Sequence, residues 1–372
     1  MQIGIPKEVK DHEYRVGMTP PGVFELTGRG HKVIVETNAG QSIGIDDTDY
    51  TAVGATIANN QAEVFSEADM VVKVKEPQPE EIKLLKKGQV LFTYLHLAPD
   101  NAQTQGLLDS GAIAIAYETV TDERMALPLL APMSEVAGRM SVQAGASGLE
   151  IERGGRGVLL GGVPGVTQGK VVIIGGGVVG TNAAFIATGM GASVTIIDKN
   201  QRRMAELDFQ FQSMVTTLYS TTHAIEEAVS EADLVVGAVL VPGATAPKLV
   251  SRSMIKNMKR GSVVVDVAID QGGCIETSKP TTHSNPYFTD EGIVHYCVTN
   301  MPGAVARTST FALNNATLPF IVSLAEMGAE EAMLSNRHLL DGLNIYHGDL
   351  TYQAVADAQG RKFSDPVVLL GG

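Results

Sequence analysis

This sequence has few cysteines and fewer basic than acidic side chains. Its 372 residues include two cysteines, Cys274 and Cys297, which excludes a disulfide framework and favours a reducing compartment. No cysteines and histidines have the spacing of a metal site, so we expect no bound metal. Lysine and arginine number 28 against 41 acidic residues, and the net charge of −13 argues against nucleic acid as a partner, because phosphate binding requires a basic face.

Targeting and membrane segments are scarce as well. The N-terminus, MQIGIPKEVK, lacks the apolar core of a signal peptide, so we expect a cytoplasmic protein. Segment 171–197 has no charged residue over a membrane-spanning length, and by hydropathy alone it is a transmembrane candidate. Its clustered glycines and β-branched ends instead favour a strand, a turn, a helix and a second strand, and we expect no membrane association.

What the sequence has in abundance is β-branched apolar runs that alternate with helical patterns. In chain order the runs are QIGIP, KVIVET, MVVKV, QVLFTYL, AIAIAYE, KVVIIG, SVTIID, MVTTLYS, LVVGAV, SVVVDVAI and VHYCVT. The chain is longer than the roughly 250–300 residues at which single cores stop growing. This pattern predicts an α/β protein with two Rossmann-like doubly wound parallel-sheet domains and an active site in the cleft between them.

Two longer helical patterns are expected to connect the domains. One contains APMSEVAGRM, in which Ser134 followed by acidic Glu135 is typical of a helix N-terminus. The other runs as one helix through TSTFALNNATLPFIVSLAEMGAEEAM. The predicted domains are residues 1–130 plus 307–372, and residues 131–306.

The most specific motif is KVVIIGGGVVGTNAA, in which Gly175, Gly177 and Gly180 have GxGxxG spacing between a strand and a helix. The first glycine makes the tight turn, the second lets the backbone approach a pyrophosphate, and the third lets helix and strand pack closely. Asp198 ends the next strand, where a carboxylate accepts hydrogen bonds from the adenine ribose and repels a 2′-phosphate. The motif therefore predicts NAD rather than NADP. Three basic residues that follow could weaken this preference: Lys199, Arg202 and Arg203.

Further candidates follow the later strands, since ligands of open α/β sheets lie outside the carboxyl ends of the strands. They are Ser220, Val239 with Leu240, Asp270 and Asn300. Val239 and Leu240 are equally well explained as core residues.

The first domain has charged residues after its own strands. Arg15 follows QIGIP, Lys73 and Lys75 end the strand in MVVKVKEP, and His96 follows LFTYL. Cations at one edge suggest a substrate with a carboxylate, and an imidazole suits proton transfer near neutral pH. Each of these side chains could also be an ordinary surface or structural residue. Glu118, after AIAIAY, is expected to orient a cation.

Asp270 has two plausible roles, in cofactor binding and in proton transfer. Asp266 lies in a strand interior and is expected to be structural. No base is placed beside either cysteine, so nucleophilic catalysis by Cys274 or Cys297 is not expected.

Nine segments spread over the whole chain resemble a known family: GIPKE, EYRVGMTP, VKVKEP, YLHLA, LAPMSEVAGRM, GGRGVLLGGVPGV, GAVLVPGA, DVAIDQGGC and NMPGAV. The family is that of the bacterial L-alanine dehydrogenases, grouped with the transhydrogenase α-subunits. The resemblance implies NAD-dependent oxidative deamination of L-alanine to pyruvate and ammonium, the reverse amination, and a homohexamer.

By the same resemblance, Arg15 and Lys75 hold the substrate carboxylate, His96 is the general acid and base, and Asp270 assists proton transfer at the carbinolamine. Whether Lys75 also carries a proton stays open. The residues implied for NAD are Ser134, Gly175, Gly177, Val178, Val179, Gly180, Asp198, Arg203, Ser220, Val239, Leu240, Ala268, Ile269, Asp270, Val298, Asn300 and Met301. Two alternatives are an NADH-binding module of a transhydrogenase and an opine- or lysine-forming reductase with a larger cleft.

Overall fold

The computed structural model describes residues 1–239 and 246–371 of the chain. The chain divides into two compact units. Unit 1 is Met1–Met133 with Val305–Gly372, and unit 2 is Ser134–Ala304. The sequence patterns place the corresponding boundaries after residues 130 and 306.

The strands of the described residues are short and distributed over the whole chain. They are β1 Gln2–Ile5, β2 Lys32–Glu36, β3 Thr56–Ala58, β4 Met70–Val72, β5 Val90–Thr93, β6 Ile113–Ala116, β7 Lys170–Ile174, β8 Ser193–Asp198, β9 Val215–Tyr219, β10 Leu234–Gly237, β11 Val263–Asp266, β12 Tyr287–Asp290, β13 Ile293–Tyr296, β14 Leu343–Tyr346 and β15 Asp349–Leu350. Each apolar run that the sequence offers as a strand overlaps one of them.

Helices lie between most of these strands. They are α1 Pro20–Gly28, α2 Asp47–Thr51, α3 Gln61–Glu67, α4 Pro79–Ile82, α5 Asn101–Ser110, α6 Ala131–Gly148, α7 Val178–Gly189, α8 Gln201–Phe211, α9 Thr222–Glu231, α10 Arg252–Lys256, α11 Ala306–Met327, α12 Ala329–Ser335, α13 Arg337–Leu340, α14 Gln353–Gln359 and α15 Pro366–Leu369.

Unit 1 contains an eight-stranded sheet in the order β15-β14-β6-β5-β4-β1-β2-β3. Strands β1 to β6 are parallel to one another. Counted from the β3 edge, these six follow the 3-2-1-4-5-6 order of a doubly wound fold. The order reverses between β1 and β4, so the loops after these two strands leave the sheet at its topological switch point.

Unit 2 repeats this arrangement in a seven-stranded sheet, ordered β12-β13-β11-β10-β7-β8-β9. All neighbours are parallel except β12, which pairs antiparallel with β13. The parallel strands again follow the 3-2-1-4-5-6 order, and the switch point lies between β7 and β10. The prediction of two Rossmann-like doubly wound sheets is therefore confirmed.

The core of unit 2 explains why segment 171–197 has no charged residue. On β7, Val171 and Ile173 belong to one apolar cluster, whereas Val172 and Ile174 belong to another. Both faces of the sheet are buried, which produces continuous apolar runs. Segment 171–197 therefore forms β7, α7 and nearly all of β8, as predicted. In the part of the chain that the structure describes, no helix has the length and apolar character needed to cross a membrane.

The antiparallel strands at the ends of the two sheets are not predicted by the sequence patterns. Strand β12 turns into β13 through Glu291 and Gly292, with φ of 51° and 78°, and β14 turns into β15 through His347 and Gly348, with φ of 50° and 100°. Two-residue turns with positive φ match the twist of the flanking strands. The sequence feature that indicates these strands is a pair of turn residues ending in glycine, which lies between two short and partly polar strands.

The two long helices differ from the sequence prediction at their ends. Helix α6 begins at Ala131, so Ser134 lies inside its first turn and not at its N-terminus. The prediction of one helix from residue 308 to residue 333 is wrong, because Gly328 has a φ of 80° and separates α11 from α12. Glycine adopts this conformation without the steric cost that a Cβ imposes.

Candidate active site

The glycine loop of unit 2 follows β7 at the switch point. Gly175 has a φ of 102°, and a Cβ there would lie 2.6 Å from the carbonyl oxygen of Ala238. A Cβ on Gly180 would lie 1.9 Å from the carbonyl oxygen of Gly175. The first glycine is therefore needed for the turn, and the last for the close packing of α7 on the loop, which are the two functions that the motif predicts.

Gly177 differs from these two glycines because no described residue outside its chain neighbours requires it. It is the N-cap of α7 with a φ of −68°, and a Cβ built on it has no heavy atom of residues 1–239 or 246–371 within 4 Å apart from those neighbours. The next residue, Val178, is 44% exposed, whereas Val179 is buried. An open backbone at the N-terminus of a twelve-residue helix fits a pyrophosphate, which would accept hydrogen bonds from the free N–H groups.

Asp198 and Arg203 both contact the glycine loop. One carboxylate oxygen of Asp198 accepts the N–H of Gly176 at 2.6 Å, and the other accepts the N–H of Asn200 at 2.8 Å. Arg203 donates from Nε to the carbonyl oxygen of Gly176 at 2.7 Å and from Nη2 to the hydroxyl of Thr181 at 2.6 Å. Besides the role predicted for it, the Asp198 carboxylate thus orders the loop itself.

Ser134 lies on α6 about one turn before Gly138. A Cβ on Gly138 would lie 2.3 Å from the carbonyl oxygen of Val179, so α6 packs closely on the first turn of α7. Within unit 2, this contact places the start of α6 near the glycine loop.

Other predicted cofactor residues follow the ends of the parallel strands. Ser220 follows β9 and Val239 follows β10, and both are partly buried. Residues 268–270 lie in the 3₁₀ turn Val267–Gln271 after β11, where Asp270 is exposed. Leu240 lies outside the described residues.

The two ends of the stretch from Val298 to Met301 are core. Val298 and Met301 are 1% and 3% exposed and pack in an apolar cluster of unit 2. Asn300 is partly buried and has a φ of 55°, and His283 Nε2 lies 3.2 Å from its carbonyl oxygen. Asparagine is one of the few residues that tolerate this backbone region. The surface that this stretch offers is therefore that of Asn300 and of Thr299, which is also partly buried.

In unit 1, Arg15 lies in the loop after β1 and pairs with Glu13. The Glu13 carboxylate accepts Arg15 Nε at 2.7 Å and Nη2 at 2.6 Å, and Arg15 Nη1 lies 3.0 Å from the Met133 sulfur. Burial alone would lower the pKa of Arg15, but the hydrogen bonds and charge of Glu13 raise it. The guanidinium is therefore held rigidly, and its charge is balanced by a buried neighbour.

The two lysines after β4 have different surroundings. The ammonium of Lys73 is fully buried and binds Glu8 at 3.0 Å and Glu81 at 2.7 Å. Lys75 forms no ion pair with a carboxylate of residues 1–239 or 246–371. Burial and the charge of Arg15 lower the pKa of Lys75. Lys73 is therefore structural, whereas Lys75 is suited to an anion that the protein does not supply.

His96 follows β5 and its side chain is 46% exposed. Its φ is 50°, and its ring stacks on Tyr94 with 5.8 Å between the centroids. Glu118 accepts the N–H of His96 at 2.6 Å and that of Leu95 at 3.1 Å, so it orients this backbone segment rather than a lysine or arginine. Backbone conformations of this kind persist where neighbouring structure holds them, often at functional sites.

Glu8 and Glu13 are residues that the sequence reasoning missed. Both lie in the loop after β1, and the side chains of both are at most 2% exposed. Buried carboxylates of this kind are found with a partner cation. The sequence does show Glu8 in GIPKE and Glu13 in HEYR, in the loop that also contains Arg15. Acidic residues so near the cations expected at this sheet edge could have predicted ion pairs.

The cysteines and Asp266 are structural, as the sequence indicates. Asp266 is buried and accepts the N–H groups of Cys274 at 3.3 Å and Ile275 at 3.0 Å. Burial raises the pKa of Cys274 well above its usual value and that of Cys297 to about 11, so neither is a ready thiolate. Across residues 1–239 and 246–371, no cluster of His, Cys, Asp or Glu side chains could hold a metal ion.

Two Rossmann-type sheets, one with an intact dinucleotide fingerprint, define the class of protein as a dinucleotide-dependent oxidoreductase. Family models for the N-terminal and C-terminal domains of alanine dehydrogenase/PNT match residues 4–137 and 141–353. The chain belongs to the alanine dehydrogenase/PNT family.

Individual relatives agree with this assignment. The alanine dehydrogenase of Halomonas elongata is 57% identical over 371 residues, which is 100% of each chain. That of Methanococcus maripaludis is 57% identical over 359 residues and 96% of each chain. A solved L-alanine dehydrogenase structure matches with a TM-score of 0.94 at 52% identity, covering 97% of this chain and 99% of the other. A Sinorhizobium meliloti transhydrogenase, with a TM-score of 0.83 at 23% identity, shares the fold.

Proposed function

We propose that the protein catalyses the NAD-dependent oxidative deamination of L-alanine to pyruvate and ammonium, and the reverse reductive amination. The observation that carries this proposal is the similarity to alanine dehydrogenases at 57% identity over the entire chain. The loops after the strands of the protein carry groups that suit this reaction. These groups are the glycine loop in unit 2 and the side chains of Arg15, Lys75 and His96 in unit 1.

The residues of unit 2 fit NAD. The open backbone at Gly177 suits the pyrophosphate, and the carboxylate of Asp198 suits the hydroxyls of the adenine ribose. We assign the sequence-derived set from Ser134 to Met301 to this cofactor, with backbone rather than side-chain contacts from the buried Val298 and Met301. NAD, when bound, accepts the hydride that leaves the α-carbon of L-alanine.

The cations of unit 1 bind the substrate carboxylate in this proposal. Arg15 offers a guanidinium whose Nε–Nη2 edge Glu13 holds in place, and Lys75 offers an ammonium that forms no ion pair with a carboxylate of the described residues. A planar guanidinium and a point charge together orient a carboxylate. The substrate carbon then has a defined position for hydride transfer, which depends on precise alignment.

Proton transfers are assigned to His96 and Asp270, both of which are exposed. After the hydride leaves, water adds to the iminium carbon and the carbinolamine collapses to pyruvate and ammonium. His96 takes the proton of the attacking water and returns it to the leaving nitrogen, and Asp270 assists at the carbinolamine. Lys75, whose pKa is lowered, is an anchor in this scheme.

The transhydrogenase alternative has weaker support. The transhydrogenase match is 23% identical, whereas the alanine dehydrogenases of Halomonas elongata and Methanococcus maripaludis are each 57% identical over nearly the whole chain.

We also propose a cytoplasmic homohexamer, as the family resemblance implies. Light scattering of the purified protein would test the hexamer.

A histidine variant tests the proposed chemistry. His96→Ala is expected to lower kcat for alanine oxidation by about 100- to 10,000-fold, which is the usual contribution of a positioned acid and base. His347→Ala is the matched control, because His347 is also an exposed histidine with a φ of 50° but lies in the β14–β15 turn. Steady-state rates and NADH binding would be measured for both variants.

NADH affinity should match that of the unaltered protein in both variants, and turnover should be lost in His96→Ala alone. Normal turnover by His96→Ala would remove His96 from the mechanism. An unaltered protein that reduces NAD no faster with L-alanine than with L-lysine, L-glutamate or no amino acid would refute the proposed function.

A further inference from the structure

The carboxylate of Glu8 connects the loop after β1 to three consecutive residues after β4. Its Oε1 accepts the N–H of Val74 at 2.6 Å and that of Lys75 at 3.3 Å. Its Oε2 accepts the Lys73 ammonium at 3.0 Å. The side chain is 2% exposed, so these contacts are made away from water, where hydrogen bonds are strong and their loss is costly.

The other side of the Lys75 peptide is held by β5. The hydroxyl of Thr93, the last residue of that strand, donates to the carbonyl oxygen of Lys75 at 2.9 Å. The backbone of Lys75 is therefore fixed at its N–H by Glu8 and at its carbonyl by Thr93. A long, flexible side chain that must meet a ligand atom benefits from a fixed starting point, because less conformational freedom is lost on binding.

The Lys73 ammonium does not need Glu8 for its charge to be balanced. Glu81 binds the same ammonium at 2.7 Å and is also buried. A second carboxylate in this place carries a desolvation cost, and burial does raise the pKa of Glu8 in spite of Lys73. Glu8 also accepts hydrogen bonds from the backbone of Val74 and Lys75, and Glu81 does not.

We propose that Glu8 is a positioning residue for the substrate carboxylate and acts through Lys75. This inference rests on the proposed function, because it assumes that Lys75 binds the carboxylate of pyruvate and alanine. Glu8 fixes the backbone from which Lys75 reaches the substrate, and it does not touch the substrate.

Glu8→Gln and Glu81→Gln form a matched pair for a test. Each removes one negative charge from beside Lys73. A glutamine at either position has one accepting oxygen, so it cannot accept from both Lys73 and the backbone. When that oxygen stays with the Lys73 ammonium, the backbone N–H left without its acceptor is that of Gln78 for Glu81→Gln, and those of Val74 and Lys75 for Glu8→Gln. Only Glu8→Gln therefore disturbs the backbone of Lys75.

The measurements are the KM for pyruvate, kcat, the Kd for NADH and the melting temperature. Glu8→Gln is expected to raise the pyruvate KM about tenfold with the NADH Kd unchanged, and Glu81→Gln is expected to change that KM by less than about twofold. In a Lys75→Met background, adding Glu8→Gln should change the pyruvate KM by less than about twofold, because the side chain through which Glu8 acts is gone.

Equal pyruvate KM values for Glu8→Gln and Glu81→Gln would reduce Glu8 to a structural role. Effects of Glu8→Gln and Lys75→Met that multiply in the double variant would show that Glu8 acts independently of Lys75. If Glu8→Gln does not fold, Glu8→Asp takes its place, because it keeps the charge but is one methylene shorter. A pyruvate KM unchanged in Glu8→Asp would overturn the inference.

The proposed function has a separate outcome. Absence of alanine-dependent NAD reduction in the unaltered protein would reject the function and the inference together. Normal alanine oxidation, with a pyruvate KM that responds to Lys75→Met but not to the Glu8 variants, would reject the inference alone.

Discussion

At the scale of single residues, the two cations at the switch point of unit 1 differ in how their charges are balanced. Glu13 binds Arg15 with both carboxylate oxygens, which raises the pKa of Arg15. Lys75 has no such carboxylate in the described residues, and burial together with Arg15 lowers its pKa. A substrate carboxylate would therefore complete the charge balance at Lys75, while Arg15 serves as a rigid fork.

This difference predicts how pyruvate binding depends on pH. Bound carboxylate favours the charged form of Lys75, so the pKa of Lys75 is higher in the complex than in the free protein. Above the lowered pKa of the free protein, binding must take up a proton, and the Kd for pyruvate should rise by about tenfold per pH unit. The measurement is a titration of the NADH-bound protein with pyruvate, followed by NADH fluorescence.

Lys75→Arg is the control for this titration. Its guanidinium stays charged at every pH of the experiment. The increase in pyruvate Kd that comes from deprotonation of Lys75 should therefore vanish, while any increase that comes from another group remains. An identical pH dependence in the unaltered protein and in Lys75→Arg would show that Lys75 does not hold the carboxylate.

At the scale of elements, the three glycines of the fingerprint are required for different reasons. Gly175 and Gly180 are demanded by the protein itself, since a Cβ at either would meet a carbonyl oxygen at 2.6 Å or 1.9 Å. A Cβ at Gly177 would meet no described residue beyond its chain neighbours, so in the proposed function the reason for this glycine is the pyrophosphate at the start of α7. A substitution at position 177 should therefore weaken dinucleotide binding without lowering the stability of the protein.

Gly177→Ala is expected to fold with a melting temperature close to that of the unaltered protein but to bind NADH on the order of 100-fold more weakly, because the methyl group would hold the pyrophosphate away from the N–H groups. Gly189→Ala is the matched control, since it lies in the same helix and a Cβ there also has no heavy atom of the described residues within 4 Å beyond its neighbours in the helix. Calorimetry of NADH binding would compare the two. Equal affinities would contradict the position assigned to the pyrophosphate.

The sequence predicts the parallel strands other than β3 because buried parallel strands are continuous apolar runs with turns between them. It does not predict β3, whose three residues are only partly buried. It also does not predict β12, β14 or β15, since these short strands are only partly apolar and their pairing depends on the two-residue turns at Glu291–Gly292 and His347–Gly348. Helix ends were also poorly predicted, because Ser134 looks like a cap but α6 begins one turn earlier.

At the scale of the whole molecule, the proposed reaction assigns its chemistry to two units that share one strand order. The sequence predicts which residues follow which strands, and Arg15, Lys75 and His96 do follow β1, β4 and β5. It could not assign Glu8 and Glu13 to their partners. Glu8 contacts residues 73–75, and only the folded sheet brings these segments together.

In the proposed reaction the α-hydrogen of L-alanine is transferred as hydride to NAD. L-Alanine deuterated at its α-carbon, supplied in ordinary water, tests this transfer when the reduced cofactor is analysed by mass spectrometry. We expect NADH that carries the deuterium, together with pyruvate and ammonium in equal amounts. Reduced cofactor without deuterium, or no reduction with L-alanine at all, would contradict it.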